Sequence, residues 1–258
     1  MRLETLAQQI GHVKCFADIG SDHAQLPIVM IESGRAQRAI AVEVAKGPYE
    51  ATREAIEQAW LQDRIEARLG NGLDPISSGE VELVAIAGMG AQTMWEILTT
   101  PHADEVLSAH GGVSLALQPM AQGGLMRYFA VQGHYQVAYD QRVVAHGLRY
   151  EVMRLNKRTR GEKEALAPRA LELRAAYDRL SPYEKWRFTF GEHGLRDRCP
   201  HVLAHMKEEV AALQQIQNRL RTGQTERSKS RIPVIEEELA ALMELIGETY
   251  EIPRSAFY

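Results

Sequence analysis

The chain is poor in cysteine, with two among its 258 residues, Cys15 and Cys199. Two thiols cannot build the disulfide framework of a small secreted domain, so a reducing compartment is expected. No apolar run approaches the roughly 20 residues needed to span a bilayer. The opening Met1-Arg-Leu-Glu-Thr-Leu carries a charge pair and no long apolar core, so no secretory signal is visible and the expected location is the cytoplasm. Disorder is excluded by composition, because 45% of the residues are hydrophobic and 25% charged. The length suits one compact core, or one domain with a smaller partner.

A large excess of one charge is also lacking overall, but the net value of -4 hides a segregation along the sequence. Residues 1 to 153 hold 11 Lys+Arg against 18 Asp+Glu, residues 154 to 231 hold 18 against 10, and residues 232 to 258 hold 1 against 6. A basic block behind an acidic first part is what a polyanion-binding attachment looks like, since phosphate contacts need Lys and Arg concentrated on one surface. The plainer alternative is that these charges solvate helices and pair with one another, as Arg196-Asp197-Arg198 would.

Residues 1 to 155 alternate short apolar runs with amphipathic stretches, the pattern of strands crossing over through helices into a parallel sheet. Strands are expected at Cys15-Phe-Ala-Asp-Ile, Ala39 to Val44, Ile65 to Leu69, Val81 to Ala87 and Ser114 to Pro119. Val81 to Ala87 is the most continuously apolar, as a central strand buried on both faces should be. The alternation then breaks, because Tyr135 to Ala145 and Arg149 to Leu155 are strand-like runs with no helix between them. They read as an antiparallel hairpin. Five parallel crossings closed by such a hairpin make the α/β, Rossmann-like, seven-stranded sheet of the class I S-adenosylmethionine-dependent methyltransferases.

In open α/β sheets ligands bind outside the carboxyl ends of the strands, and here those ends carry a coherent set. Asp18-Ile-Gly-Ser-Asp-His follows the first strand: Gly20 lets a ligand approach the backbone, while Asp18 and Asp22, with His23 beside them, surround it with carboxylates. A pyrophosphate would be repelled there; a sulfonium and an amino-acid ammonium would be attracted. Glu43, 25 residues beyond Asp18 and next to Val44, is placed to accept both hydroxyls of a ribose. Asn71-Gly72, after the third strand, can hydrogen-bond an adenine edge. Ala87 and Gly88 complete the donor side. Singly, each of these is an ordinary turn or a solvated strand end; jointly, at consecutive strand ends, they describe a pocket for a positively charged adenosine derivative. The rival, a nicotinamide or flavin enzyme, needs Gly-x-Gly-x-x-Gly after the first strand, where only Gly20 stands.

The segments Asp18-Ile-Gly-Ser-Asp-His-Ala-Gln-Leu-Pro, Ile86-Ala-Gly-Met-Gly, Leu117-Gln-Pro and Arg149-Tyr-Glu-Val resemble the bacterial tRNA (adenine-22, N1)-methyltransferases. The resemblance covers essentially the whole chain. It implies a methyltransferase domain followed by a helical coiled-coil domain, S-adenosylmethionine as cofactor and tRNA as partner, with no membrane. The chain departs from the family pattern at Ala91, Met120 and Asn71. On this reading Gly88, Met89 and Gly90 form one wall of the target pocket and Gln118 with Pro119 another, Gln118 offering an amide to the base. Asp22 or His23 is placed to accept a proton. Ring-nitrogen methylation needs mainly positioning, because the nitrogen has an in-plane lone pair and the donor is activated. The alternatives are a methyltransferase acting on another RNA, a protein or a small molecule, and a non-catalytic tRNA-binding module.

The expected division is a donor-binding domain over residues 1–157 and a helical domain over 158–258. Val202, Met206, Val210, Leu213, Ile216 and Leu220 step by three or four, as do Ile232, Ile235, Leu239, Leu242 and Ile246. The polar stretch from Thr222 to Arg231 between them reads as a loop folding two helices back on each other. Basic residues gather near it, Arg219, Arg221, Arg227, Lys229 and Arg231, and at the junction, Lys157, Arg158 and Arg160. His193, Cys199, His201 and His205 match no zinc spacing, so no metal is expected. Tyr183, Trp186, Phe188 and Phe190 could stack bases, but packing at the junction between the domains is the simpler use.

Overall fold

A computed structural model describes residues 2–109, 112–145, 148–157, 170–223 and 225–252. The chain divides into two compact units, Met1–Arg174 and Ala175–Tyr258. The expected boundary after residue 157 stands at the end of the last strand, ahead of the division after Arg174, and residues 158–169, including Arg158 and Arg160, lie outside the described residues.

The first unit holds α1 (Arg2–Ile10), β1 (Val13–Ile19), α2 (Gln25–Glu32), β2 (Ala36–Glu43), α3 (Lys46–Gln58), β3 (Ile65–Leu69), β4 (Leu83–Met89), α4 (Ala91–Leu98), α5 (Pro101–Leu107), β5 (Ser114–Pro119), α6 (Gly123–Gln132), β6 (Tyr135–Ala145) and β7 (Leu148–Lys157). The seven strands form one sheet in the order β3-β2-β1-β4-β5-β7-β6. The β1 to β5 pairings are parallel, whereas β7 runs antiparallel to both β5 and β6. The expected mostly parallel sheet with a closing hairpin is therefore what forms.

Both faces of the sheet are covered. Phe16, Ala39, Ala41, Leu83, Ala85 and Ala116 cluster with Leu6 and Ile10 of α1 and Leu26, Met30 and Ile31 of α2. The alternate residues Ala17, Ile40, Val84, Ile86 and Leu115 are equally buried, as the two-residue period of a doubly covered strand requires. Strand order reverses between β1 and β4, which puts the ligand crevice of this architecture at their carboxyl ends.

Strands β1, β2, β4 and β7 have bounds shifted by one to three residues from those expected, and two differences from the sequence reading have a physical reason. Strand β4 does not stop at Ala87 but runs through Gly88 to Met89, because Gly88 takes φ +76° and lets the ladder to β5 skip one residue, Ala87 facing Gln118 and Met89 facing Pro119. Such a bulge bends a strand and re-aims the side chain after it. Helix α5, absent from the sequence reading, is started by Thr100, whose hydroxyl accepts from the Ala103 amide, and by Pro101 in the first turn.

Among the described residues the second unit is helical: α7 (Ala170–Asp178), in which the division between the units falls, is followed by α8 (Pro182–Phe190), α9 (Glu192–Arg196), α10 (Pro200–Thr222) and α11 (Glu226–Tyr250). Met206, Val210, Leu213, Ile235, Leu239, Leu242 and Ile246 of α10 and α11 are buried together, as their spacing predicts. The two helices are antiparallel: Arg221 pairs with Glu236 at 2.9 Å near the turn, and the Tyr250 hydroxyl donates to the Cys199 carbonyl at 3.0 Å at the other end. The expected ten-residue loop is mostly helix, since Thr225 caps α11 by accepting from the Ser228 amide. Phe190 sits in this unit's core with Tyr183 and Trp186 against it, so these aromatics pack inside the helical unit. His205 is engaged by Glu209 at 3.0 Å and edge-on by the Phe190 ring.

Candidate functional site

The loop after β1 is built by charge and by backbone conformation together. Gly20 takes φ +70° and its amide continues the ladder to the Val42 carbonyl at 2.9 Å. Asp22, His23 and Ala24 then follow with φ of 45°, 62° and 52°, three consecutive non-glycine residues in the left-handed region. That conformation costs roughly 1–2 kcal/mol per residue, and it recurs at functional sites where the surroundings hold it. One restraint is Glu43, whose Oε1 accepts from the Asp22 amide at 2.8 Å and from the Thr52 hydroxyl at 3.3 Å. Glu43 Oε2 takes no hydrogen bond from the described residues.

Asp18 is 3% exposed at the end of β1 and accepts from the Ser21 hydroxyl at 2.7 Å. Its carboxyl is pushed up to about 7 by burial, the Ser21 bond opposing, and the charges of Glu43 and Asp22 raise it further. A buried carboxylate among like charges is short of a cation, which is the property a sulfonium-and-ammonium ligand would meet.

Two cavities open at these strand ends. One, of about 260 Å³, is lined by Gly20, Val44, Asn71 and Gly72 together with Thr93 and Glu96 of α4, among others. Gly72, with φ +54°, lets α4 come close, for a Cβ there would meet Ile97 Cγ2 at 2.9 Å. The other, of about 250 Å³, is lined by Asp18, Gly20, Ser21, Asp22, Ala87 and Gly88, with Gln25 and Leu26 of α2 closing it. Met89 borders both.

The remaining expected site residues stand apart from these linings. Glu43 is buried beneath the turn, and the His23 side chain is 60% exposed, 3.9 Å from Asp22. Gly90 is exposed at the start of α4. Gln118 and Pro119 are buried at the end of β5, tied to the neighbouring strand by the Met120 amide, which donates to the Met89 carbonyl at 2.9 Å. Among the described residues Gln118 Oε1 is buried without a hydrogen-bond partner, while its Nε2 reaches only the Pro119 carbonyl at 3.3 Å.

Ser21, Thr52, Thr93 and Glu96 escaped the sequence reading. Ser21 was legible as the hydroxyl inside Asp18-Ile-Gly-Ser; Thr52 was not, because its partner lies nine residues away in sequence and its role comes only from α3 packing on Glu43. Among the described residues no group of three or more His, Cys, Asp or Glu could hold a metal ion.

A family model described as a methyltransferase domain matches residues 1–153. The chain belongs to the methyltransferase-domain family. This methyltransferase is 29% identical over 251 residues, 97% of its length and 96% of the relative's, to the tRNA (adenine(22)-N(1))-methyltransferase of Bacillus subtilis (strain 168). The crystal structure of the B. subtilis M1A22 tRNA methyltransferase TrmK superposes with a TM-score of 0.73 at 28% identity, over 95% of this chain and 97% of that one. The M. capricolum TrmK structure, solved with S-adenosyl-homocysteine, gives 0.72 at 21% identity over 96% and 98%, a likeness of fold. The methyltransferase thus shares both its units with relatives of nearly the same length. No helix among its described residues is long and apolar enough to cross a membrane.

Proposed function

We propose that the protein transfers the methyl group of S-adenosylmethionine to N1 of adenine 22 in tRNA, in the cytoplasm. One observation carries this reading: a crevice at the β1/β4 reversal whose buried Asp18 calls for a cation, in a chain similar over 97% of its length to a tRNA (adenine(22)-N(1))-methyltransferase.

When bound, the donor supplies a methyl group already activated on sulfur. The chain's residues bind and orient. Asp18 and Asp22 meet the amino-acid end, where Gly20, Ala87 and Gly88 allow close approach, with His23 at the rim. Glu43 Oε2 is available to the ribose, and Val44, Asn71 and Gly72 flank the adenine. On the other side Met89, Gly90, Gln118 and Pro119 form the wall against which the target base lies. N1 is on the Watson-Crick edge, so the base must leave its stack, at roughly a few kcal/mol, and the site's task is then alignment. Asp22 or His23, both at the rim, is placed to accept a proton. The helical unit supplies the grip on the phosphate backbone, its exposed Arg219, Arg227 and Arg231 standing near the turn between α10 and α11.

The test is methyl transfer from labelled donor to unmodified tRNA transcripts, followed by mapping of the modified base. Label confined to N1 of adenine 22 is expected, with none in a transcript carrying guanine there; label in another base, or in none, contradicts the proposal.

A further inference from the structure

One side chain, Met89, lines both cavities of the crevice. The Met89 Cε methyl rests on Gly20 so closely that a Cβ at Gly20 would overlap it. Gly20 and Met89 line both cavities. Each, at about 260 and 250 Å³, falls below the roughly 300–1,000 Å³ usual for a small-molecule site, and only joined do they reach that range. The contents of the two linings differ accordingly: Val44, Asn71 and Gly72 on one side suit a nucleoside, and the carboxylates of Asp18 and Asp22 on the other suit an amino-acid tail.

We propose that Met89 is the gate between the nucleoside and amino-acid halves of the donor site, and that a tail-bearing donor is admitted only when this side chain turns off Gly20. The inference rests on the donor site proposed above and adds a residue that controls entry to it. Three features make Met89 suited to the task. The Gly88 bulge aims it across β1 instead of along the ordinary alternation of the strand. Gly20, lacking a Cβ, provides its seat. Its unbranched thioether has three rotatable bonds and moves at little cost. The backbone is meanwhile held, since the Met89 carbonyl accepts from the Met120 amide, so the gate is a rotamer change and not a movement of the strand. A nucleoside without a tail engages only the first half and does not require Met89 to move. A ligand that spans both halves binds only the open fraction of molecules, and its apparent affinity and association rate fall by that fraction.

Methyl-labelled methionine NMR on the full chain, with the Met89 signal identified by its loss in Met89→Leu, reads the gate directly. Millimolar adenosine should leave the contact between the Met89 methyl and the Gly20 α-protons intact, and saturating S-adenosylhomocysteine should abolish it. Met89→Ala should speed association of S-adenosylhomocysteine by roughly threefold or more, and by clearly more than it changes that of adenosine. A Met89–Gly20 contact that survives with S-adenosylhomocysteine bound, or an equal acceleration of both ligands, overturns the gate while leaving the donor site standing. If S-adenosylhomocysteine does not bind at all, the donor site fails and the gate with it.

Discussion

The Ser21 hydroxyl donates a 2.7 Å hydrogen bond to the Asp18 carboxylate, and the two charges acting on that carboxylate, Glu43 and Asp22, are both negative. Burial holds the Asp18 carboxyl near 7 in the free protein, against roughly 3.9 in an unfolded chain. The folded state therefore binds this proton more tightly than the unfolded state does. Its contribution to stability is complete below about pH 4, is lost as the pH rises towards 7, and stays lost above.

Asp18→Asn removes that loss and keeps an acceptor for Ser21. Thermal unfolding of the ligand-free protein should show the variant gaining on wild type between pH 5 and 7, the gap then staying level to pH 8, by a few degrees. Wild-type affinity for S-adenosylmethionine should rise over the same interval by up to about tenfold per unit, as the carboxylate forms. Calorimetry on Asp18→Asn should show at least tenfold weaker binding with no such rise.

One oxygen of Glu43 holds the Asp22 turn, and the proposed donor site gives the other to a ribose. Glu43→Gln keeps an acceptor but loses the charge, and hydrogen bonds to charged groups contribute about 1.5–3 kcal/mol, so donor affinity should fall roughly 10- to 100-fold. Thr52→Val removes only the hydroxyl that donates to Glu43 and should cost less than Glu43→Gln does. Equal losses in the two variants would mean that Glu43 acts through the turn alone.

Arg127 is buried in α6 and holds Asp140 of β6 through two bonds of 2.6 and 2.7 Å, with Glu151 of β7 at 3.4 Å. The same Glu151 accepts from Arg142 at 2.9 Å. Breaking a buried pair on one side strands the other charge, a loss of about 3–5 kcal/mol. Arg127→Met should lower the melting temperature by roughly 10 °C, and Asp140→Leu placed beside it should recover part of the fall. No recovery would show that the arginine contributes by packing rather than by charge.

In the helical unit Arg221 is paired with Glu236 and Lys229 with Glu226, whereas Arg219, Arg227 and Arg231 are exposed. Charge reversal of those three should flatten the dependence of tRNA binding on salt by about one slope unit per phosphate contact removed, and leave donor affinity unchanged. An unaltered slope would place the grip elsewhere.

Strand composition made the sheet readable, because β4 is apolar throughout and β6 and β7 have no helix between them. The carboxylates at β1 and β2 were readable too, since strand ends are fixed once strands are. Less was visible where conformation, not composition, decides. Nothing in Ser-Asp-His-Ala announces three left-handed residues, for these arise from Glu43 reaching across from the next strand. The continuation of β4 to Met89 depends on one positive φ at Gly88. The stretch after Thr222 is polar enough for a loop and becomes helix because Thr225 caps it.

The most direct test is a crystal structure of the protein with S-adenosylhomocysteine. The ribose hydroxyls are expected on Glu43, the adenine beside Asn71 and Gly72, and the ammonium end against Asp18 and Asp22. A nucleoside bound away from these carboxylates, or no binding at saturating concentration, would contradict it.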